Sequence, residues 1–109
     1  MAIVYMDISS INNMWTSIDL CIVPIGVGVS LSPYIKACIK VIENHKLDYE
    51  PGPNGTAIEG DWDEVFRCVK DCHGKLHQLG AKRIYSTLKI NTRIDRKQSF
   101  KEKLHSLKS

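Results

Sequence analysis

The segment PNGTAIEGDW, residues 53–62, places a glutamate at the end of a short strand-like run. Glu59 precedes a glycine and a helix start, where neither strand nor turn preferences favour a glutamate. Such a carboxylate is either a solvated edge charge or the acid of a binding site, which accepts hydrogen bonds or balances a cation. Asp19 is the one carboxylate offered by a neighbouring strand, so we find no catalytic arrangement here and expect no catalytic residue.

The segment CVKDCHGKLH, residues 68–77, offers a second chemistry, metal binding. Cys68 and Cys72 are four residues apart, as are His73 and His77, so each pair can share one face of a helix. The two pairs point about 100° apart, and four ligands converge only if the helix bends around a metal. Core cysteines with surface histidines are the better interpretation, and we expect no metal.

The glycine-containing segment GVGVS, residues 26–30, could belong to a phosphate-binding loop. It lacks the third glycine of a dinucleotide fingerprint and the Gly-Lys-Ser/Thr of a P-loop. We therefore interpret it as a flexible connection, which could close over a ligand.

The composition predicts one globular domain. The chain has 109 residues, of which 43% are hydrophobic and 25% are charged, with a net charge of +3. The longest apolar run, residues 20–29, is about half the length of a membrane span. The N-terminus lacks the basic start and long apolar core of a secretory signal. We expect a soluble, cytoplasmic protein without a membrane partner, and its four cysteines to be free thiols.

Residues 1–16 show no convincing hydrophobic period, so we expect a poorly ordered N-terminal extension before a single domain at 17–109. The first predicted strand, residues 17–26, is apolar on both faces, which is typical of a central strand covered on both sides. In so short a chain, helices would cover one side and a second copy of the protein the other. Burial of Glu59 would then depend on that second copy.

The remaining segments predict an α+β fold. They are a helix from Ser32 to about residue 46, strands at 47–50 and 56–60, a helix from Asp61 to Gly80, an alternating strand at 82–94 and a short helix at 97–107. This order predicts the ferredoxin-like βαββαβ arrangement, an antiparallel sheet with two helices on one face, plus a short C-terminal helix. In that topology the first and third strands are central.

The C-terminal residues 93–108 carry six basic side chains against two acidic ones. A solvated helix face explains this charge, and contact with phosphate or RNA is the alternative. The last strand offers Tyr85 as its one aromatic residue and has no RNP1-like run, so we do not expect a nucleic-acid partner.

Three segments resemble the thiamine-binding-like small-protein family, an uncharacterised family designated UPF0045. They are VPIG at 23–26, NGTAIEGDWDEV at 54–65 and LKINTRIDRKQSFKEKL at 88–104. Members share a Gly-Thr-x-Ile-Glu-Gly segment, matched here at 55–60, and a late Arg-x-Asp-(Arg/Lys) segment, matched at 93–96. The resemblance covers nearly the whole chain apart from the extension.

This resemblance implies a ferredoxin-like fold, a homodimer or homotetramer formed through the sheet face, and a thiamine-like ligand. On that basis Glu59 would accept hydrogen bonds from an aminopyrimidine or balance a cationic ring, and Thr56 would add a hydroxyl contact. Trp62 would supply a stacking surface, unless it is the first core residue of its helix. Asn91 and Arg93 would form a polar rim.

Arg93 has two further possible partners, a phosphate and Asp95. We thus predict a non-catalytic, oligomeric small-molecule-binding protein, with a scaffold protein that has lost ligand binding as the alternative. RNA binding through the basic C-terminal segment is a weaker alternative, which requires a strongly salt-dependent affinity.

Overall fold

A computed structural model describes residues 7, 8, 11 and 14–108 of the chain. Its elements are β1 (Trp15–Ile25), α1 (Ser32–Asn44), β2 (Asp48–Pro51), β3 (Thr56–Asp61), α2 (Trp62–Gln78), β4 (Arg83–Arg93) and α3 (Phe100–Lys108). This order confirms the predicted βαββαβ arrangement with a short C-terminal helix. None of the helices in the described part of the chain is long and apolar enough to cross a membrane.

The four strands form one antiparallel sheet in the order β2-β3-β1-β4, so β3 and β1 are central as predicted. The register places Ser17 of β1 between Glu59 of β3 and Asn91 of β4. Asp19 lies between Ala57 and Lys89, one row further along the same face. This register decides which of the predicted site residues can meet.

Strand β1 begins two residues earlier than predicted. Trp15 pairs with Asp61 and Arg93, and Thr16 is fully buried, with its hydroxyl donating to the carbonyl of Met14. Trp15 and Thr16 therefore belong to the sheet, which corrects the predicted extension at its C-terminal end. Most of residues 1–14 lie outside the described part of the chain.

The hydrophobic core fills the space between one face of the sheet and the two long helices. Alternate residues of β1 point into it, and α2 contributes a stripe at helical spacing. The fully or nearly fully buried members include Ile18, Leu20, Ile42, Ile58, Val65, Cys68, Cys72 and Leu76. The helix-covered side of the central strands is thus confirmed.

The other face of the sheet, here called the open face, is not covered by α1 or α2. Cys21 and Val23 are half-buried there, and Ile25 and Tyr85 are 43% and 65% exposed. That part of β1 is less buried than a strand covered on both sides. Its coverage by a second copy stays a prediction.

Candidate functional site

Strand alternation separates the predicted ligand-binding residues of β3. Thr56 pairs with Leu20, whose side chain lies in the core, so Thr56 faces the helices. Glu59 is three residues further along and therefore lies on the open face. The two side chains do not belong to one site, although the predicted set joined them.

Glu59 is buried by the chain's own C-terminal helix. Its side chain is 2% exposed, and Oε2 accepts a hydrogen bond of 2.8 Å from the backbone N–H of Phe100, the first residue of α3. Burial raises the pKa of Glu59, and the nearby charge of Asp48 adds to that effect, while the N–H of Phe100 opposes it. A second copy is therefore not needed to bury this carboxylate, which corrects the prediction.

Trp15 lies one row from Glu59 on the open face, and it was not predicted as a site residue because it fell in the predicted extension. Its indole N–H donates to the carbonyl of Gln98 at 3.0 Å, and the ammonium of Lys97 lies 5.5 Å from the ring centre. The two-residue spacing between Trp15 and Ser17 could have identified Trp15 as part of the first strand. Trp15 is two residues before Ser17, and so shares a face with it.

Arg93 lies on the open face with Glu59, but its guanidinium already has partners. It donates to both carboxylate oxygens of Asp95, at 2.8 and 2.6 Å, and to the side chain of Gln98 at 2.6 Å. The Arg93 guanidinium lowers the pKa of Asp95 to about 2. Of the two partners considered for Arg93, a phosphate and Asp95, the guanidinium contacts Asp95.

Asn91 shares a row with Ser17 and Glu59 and lines a groove of about 220 Å³ on the open face. The groove also contains Asp19 and Lys89, one charge of each sign.

Trp62 lies apart from that row, at the start of α2, and its ring packs against Phe66 with centroids 4.3 Å apart. Glu59, Asn91 and Arg93 are thus the predicted residues that share one face.

A cavity of about 340 Å³ lies on the helix side of the sheet, between β1, α1 and the turn at 52–55. Its walls are apolar side chains that include Leu20, Ile22 and Ile35, and Thr56 lies at its polar edge with Asn54. The turn is closed by a 2.8 Å hydrogen bond from the N–H of Gly52 to the carbonyl of Gly55. None of the described residues that line this cavity carries a charge.

The loop that joins β1 to α1 borders this cavity at Leu31. Gly26 and Gly28 have φ angles of 82° and 98°, which side chains rarely adopt, so this segment needs glycine. Val27 packs against the core, whereas Val29 is fully exposed. The segment noted from sequence as able to close over a ligand therefore adjoins this cavity.

The cysteine and histidine pairs of α2 have partners other than a metal. Cys68 and Cys72 are in the core, His73 lies 2.8 Å from the hydroxyl of Ser86, and His77 contacts the carbonyl of Ala81 at 2.7 Å. No group of three or more suitable side chains that could hold a metal ion occurs among the described residues.

Residues 18–108 match the profile of a family described as Thiamine-binding protein. The chain belongs to this family. A relative in Synechocystis, UPF0045 protein sll0230, is 50% identical over 92 residues, which cover 84% of this chain and 76% of that protein. UPF0045 protein MJ1052 of Methanocaldococcus jannaschii is 34% identical over 89 residues, or 82% of this chain and 88% of that protein.

Solved structures of this family share the fold. The crystal structure of MJ1052 superposes with a TM-score of 0.78 at 32% identity, over 86% of this chain and 96% of that one. A Thermotoga maritima protein, provisionally assigned to thiamine biosynthesis or salvage, gives a TM-score of 0.72 at 27% identity, over 85% and 98% of the two chains. The resemblance found in the sequence motifs is thus confirmed.

Proposed function

We propose that this protein binds thiamine or a related pyrimidine, without catalysis, in the cavity that Thr56 lines. The cavity carries the proposal. Its volume of about 340 Å³ is at the lower end of the range for small-molecule sites, roughly 300–1,000 Å³. Its combination of apolar walls and a few polar groups at one edge is also typical of such sites.

The lining suits an uncharged aromatic ring. Leu20, Ile22 and Ile35 offer apolar surfaces against which a flat ring can pack, and the Thr56 hydroxyl and Asn54 amide can donate and accept hydrogen bonds at its edge. A cationic ring or a phosphate would lose hydration in this uncharged cavity without gaining a counter-charge. We therefore assign the pyrimidine ring to the cavity and any charged part of the ligand to its mouth.

The position of the cavity also favours one of the two predicted polar contacts. The carboxylate of Glu59 lies on the opposite face of the sheet and accepts a hydrogen bond from Phe100. No hydrogen bond of the Thr56 side chain is found among the described residues, and Thr56 lines the cavity. We therefore transfer the predicted ligand contact from Glu59 to Thr56.

The test is ligand binding measured by thermal shift and calorimetry with thiamine, its phosphates and its pyrimidine precursor. A ligand at a hundredfold excess over its Kd stabilises the folded protein by about 2.7 kcal/mol. We expect Thr56→Val, which keeps the shape and removes the hydroxyl, to weaken binding about tenfold, the equivalent of one neutral hydrogen bond.

Ile35→Trp should abolish binding by filling the cavity. Leu79→Trp is the matched control, because Leu79, which directly follows α2, is also a partly exposed apolar residue but does not line the cavity. Equal affinity in the Ile35→Trp variant and wild type would place the ligand elsewhere. No binding of any of these compounds would favour the scaffold alternative.

We further propose self-association through the open face, where Cys21, Val23, Ile25 and Tyr85 leave apolar surface uncovered by helices. Sedimentation velocity over a range of concentrations should show a homodimer or homotetramer. Tyr85→Glu should shift it toward the monomer, since the new charge would be buried in the interface. A monomer at all concentrations would contradict this part of the proposal.

A further inference from the structure

We propose that residues 94–108, here called the C-terminal strap, form a movable cover over Glu59 that closes more firmly when that side chain is uncharged. The strap lies on the open face, on the other side of the sheet from the cavity. The inference does not depend on pyrimidine binding. It assigns a conformational role to a buried acid that the proposed function leaves unused.

Among the contacts that hold the strap are three hydrogen bonds made at its middle by Gln98 and Phe100. The carbonyl of Gln98 accepts from Trp15, its side chain accepts from Arg93, and the N–H of Phe100 donates to Glu59. Further along α3, Leu104 and Leu107 are 49% and 82% exposed, so the end of this helix buries little apolar surface. Opening of the strap must therefore break these hydrogen bonds and the Lys97–Trp15 contact, but it exposes little apolar surface from the last turns of α3.

The charge of Glu59 has one favourable and one unfavourable effect on closure of the strap. Its carboxylate lies at the N-terminus of α3, where the helix dipole favours a negative charge. An ionised carboxylate that is 2% exposed also loses most of its hydration, and one hydrogen bond replaces only part of it. The balance of these two effects decides how the charge influences closure.

The charged groups around Glu59 do not remove this cost. Asp48 on β2 and Glu102 on α3 repel the carboxylate, and Lys103 on α3 attracts it. Its neighbours in the same row, Ser17 on β1 and Asn91 on β4, are uncharged. Burial is the largest influence, and the pKa of Glu59 in the closed strap lies above its usual value of 4.5.

The direction of this change fixes the pH dependence. An exposed carboxyl in the open state has the usual pKa, so the closed state binds the proton more tightly. Closure must then strengthen as the pH falls through the raised pKa toward 4.5, and weaken when Glu59 ionises. Near neutral pH the strap is poised to open and to expose the carboxylate of Glu59.

Amide hydrogen exchange over residues 98–108 tests the proposal, after correction for the pH dependence of the intrinsic rates. We expect protection in the wild type to rise as the pH falls from about 7.5 to about 5. Glu59→Gln keeps an oxygen that can accept from Phe100 but removes the charge. It should increase protection at neutral pH about tenfold and abolish the pH dependence.

Two variants of one residue isolate the hydrogen bond itself. Phe100→Pro removes the donor N–H at the first helical position, which tolerates proline, and Phe100→Ala removes the ring but keeps the N–H. Protection should be lower in the proline variant than in the alanine variant. The melting transition of the core, measured in parallel, shows whether each variant is folded.

Loss of protection in Glu59→Gln at every pH would mean that the charge holds the strap closed, and would overturn the proposal. Unchanged protection with an unchanged pH profile would overturn it as well. Pyrimidine affinity serves as an independent readout. It should be the same in Glu59→Gln and wild type, because the cavity lies on the other face of the sheet.

Discussion

Replacing Ile58 with alanine should lower the free energy of unfolding by about 2–5 kcal/mol, whereas Ile90→Ala should cost less than about 1 kcal/mol. The two residues are a natural matched pair. Both are strand isoleucines on the helix side of the sheet, and both lie directly beside Ile18, Ile58 on β3 and Ile90 on β4. They differ in burial, because Ile58 is 0% exposed and Ile90 is 49% exposed.

The expected difference follows from the position of each strand. β3 is central and lies beneath the helices, so truncating Ile58 leaves a void that rigid neighbours cannot fill. β4 is at the edge of the sheet, and the site of Ile90 is already open to solvent on one side. Urea unfolding followed by circular dichroism measures both losses. Equal losses would show that Ile90 is covered in solution.

The fold could be predicted because its signals are local. Alternation in β4 and the three- and four-residue spacing in α2 each appear within a dozen residues or so. The position of Trp15 was harder to predict, since the polar residues that precede it give no strand period. Its membership of β1 depends on pairing with Asp61 and Arg93, which are distant in sequence.

The role of Glu59 could not be predicted from local pattern. Its partner is a backbone N–H 41 residues away, and any non-proline residue at that position supplies the same donor. The sequence correctly indicated that an acid at this point needs an explanation. Only the path of the chain after β4 shows that the acid meets the start of α3.

The cavity is likewise a product of tertiary packing. Its lining comes from β1, α1 and the turn at 52–55, which are distant in sequence and come together only in the folded chain. Thr56 was identified through its motif, but its separation from Glu59 required the strand register. Side chains three residues apart in a strand face opposite sides, so one short motif contributes to both the cavity and the anchor of the strap.

The second large effect is expected at His45, which joins the two long helices. It follows the last residue of α1, and its two ring nitrogens each lie 2.7 Å from a carboxylate oxygen, one of Glu64 and one of Asp71, both on α2. The contact with Glu64 is the main reason that the pKa of His45 is raised above its usual 6.5. A protonated imidazole can donate to both carboxylates at once.

His45→Gln should therefore destabilise the protein by about 1–2 kcal/mol at about pH 6, a modest value because Asp71 is half exposed to solvent. A group with a raised pKa stabilises the fold fully below its unfolded pKa, and this contribution is lost as the pH rises through the folded value. The difference between wild type and variant should accordingly shrink as the pH rises above 6.5.

His73→Gln is a control for which the change of stability with pH should have the opposite sign. Burial lowers the pKa of His73, and its ring contacts the hydroxyl of Ser86 and no carboxylate among its described hydrogen bonds. Protonation of a histidine with a lowered pKa weakens the fold, so wild type should lose stability relative to this variant as the pH falls below 6.5. Urea unfolding at several pH values measures both variants. A His45→Gln effect that does not change with pH would show that neutral hydrogen bonds, rather than charge, join α1 to α2 at this point.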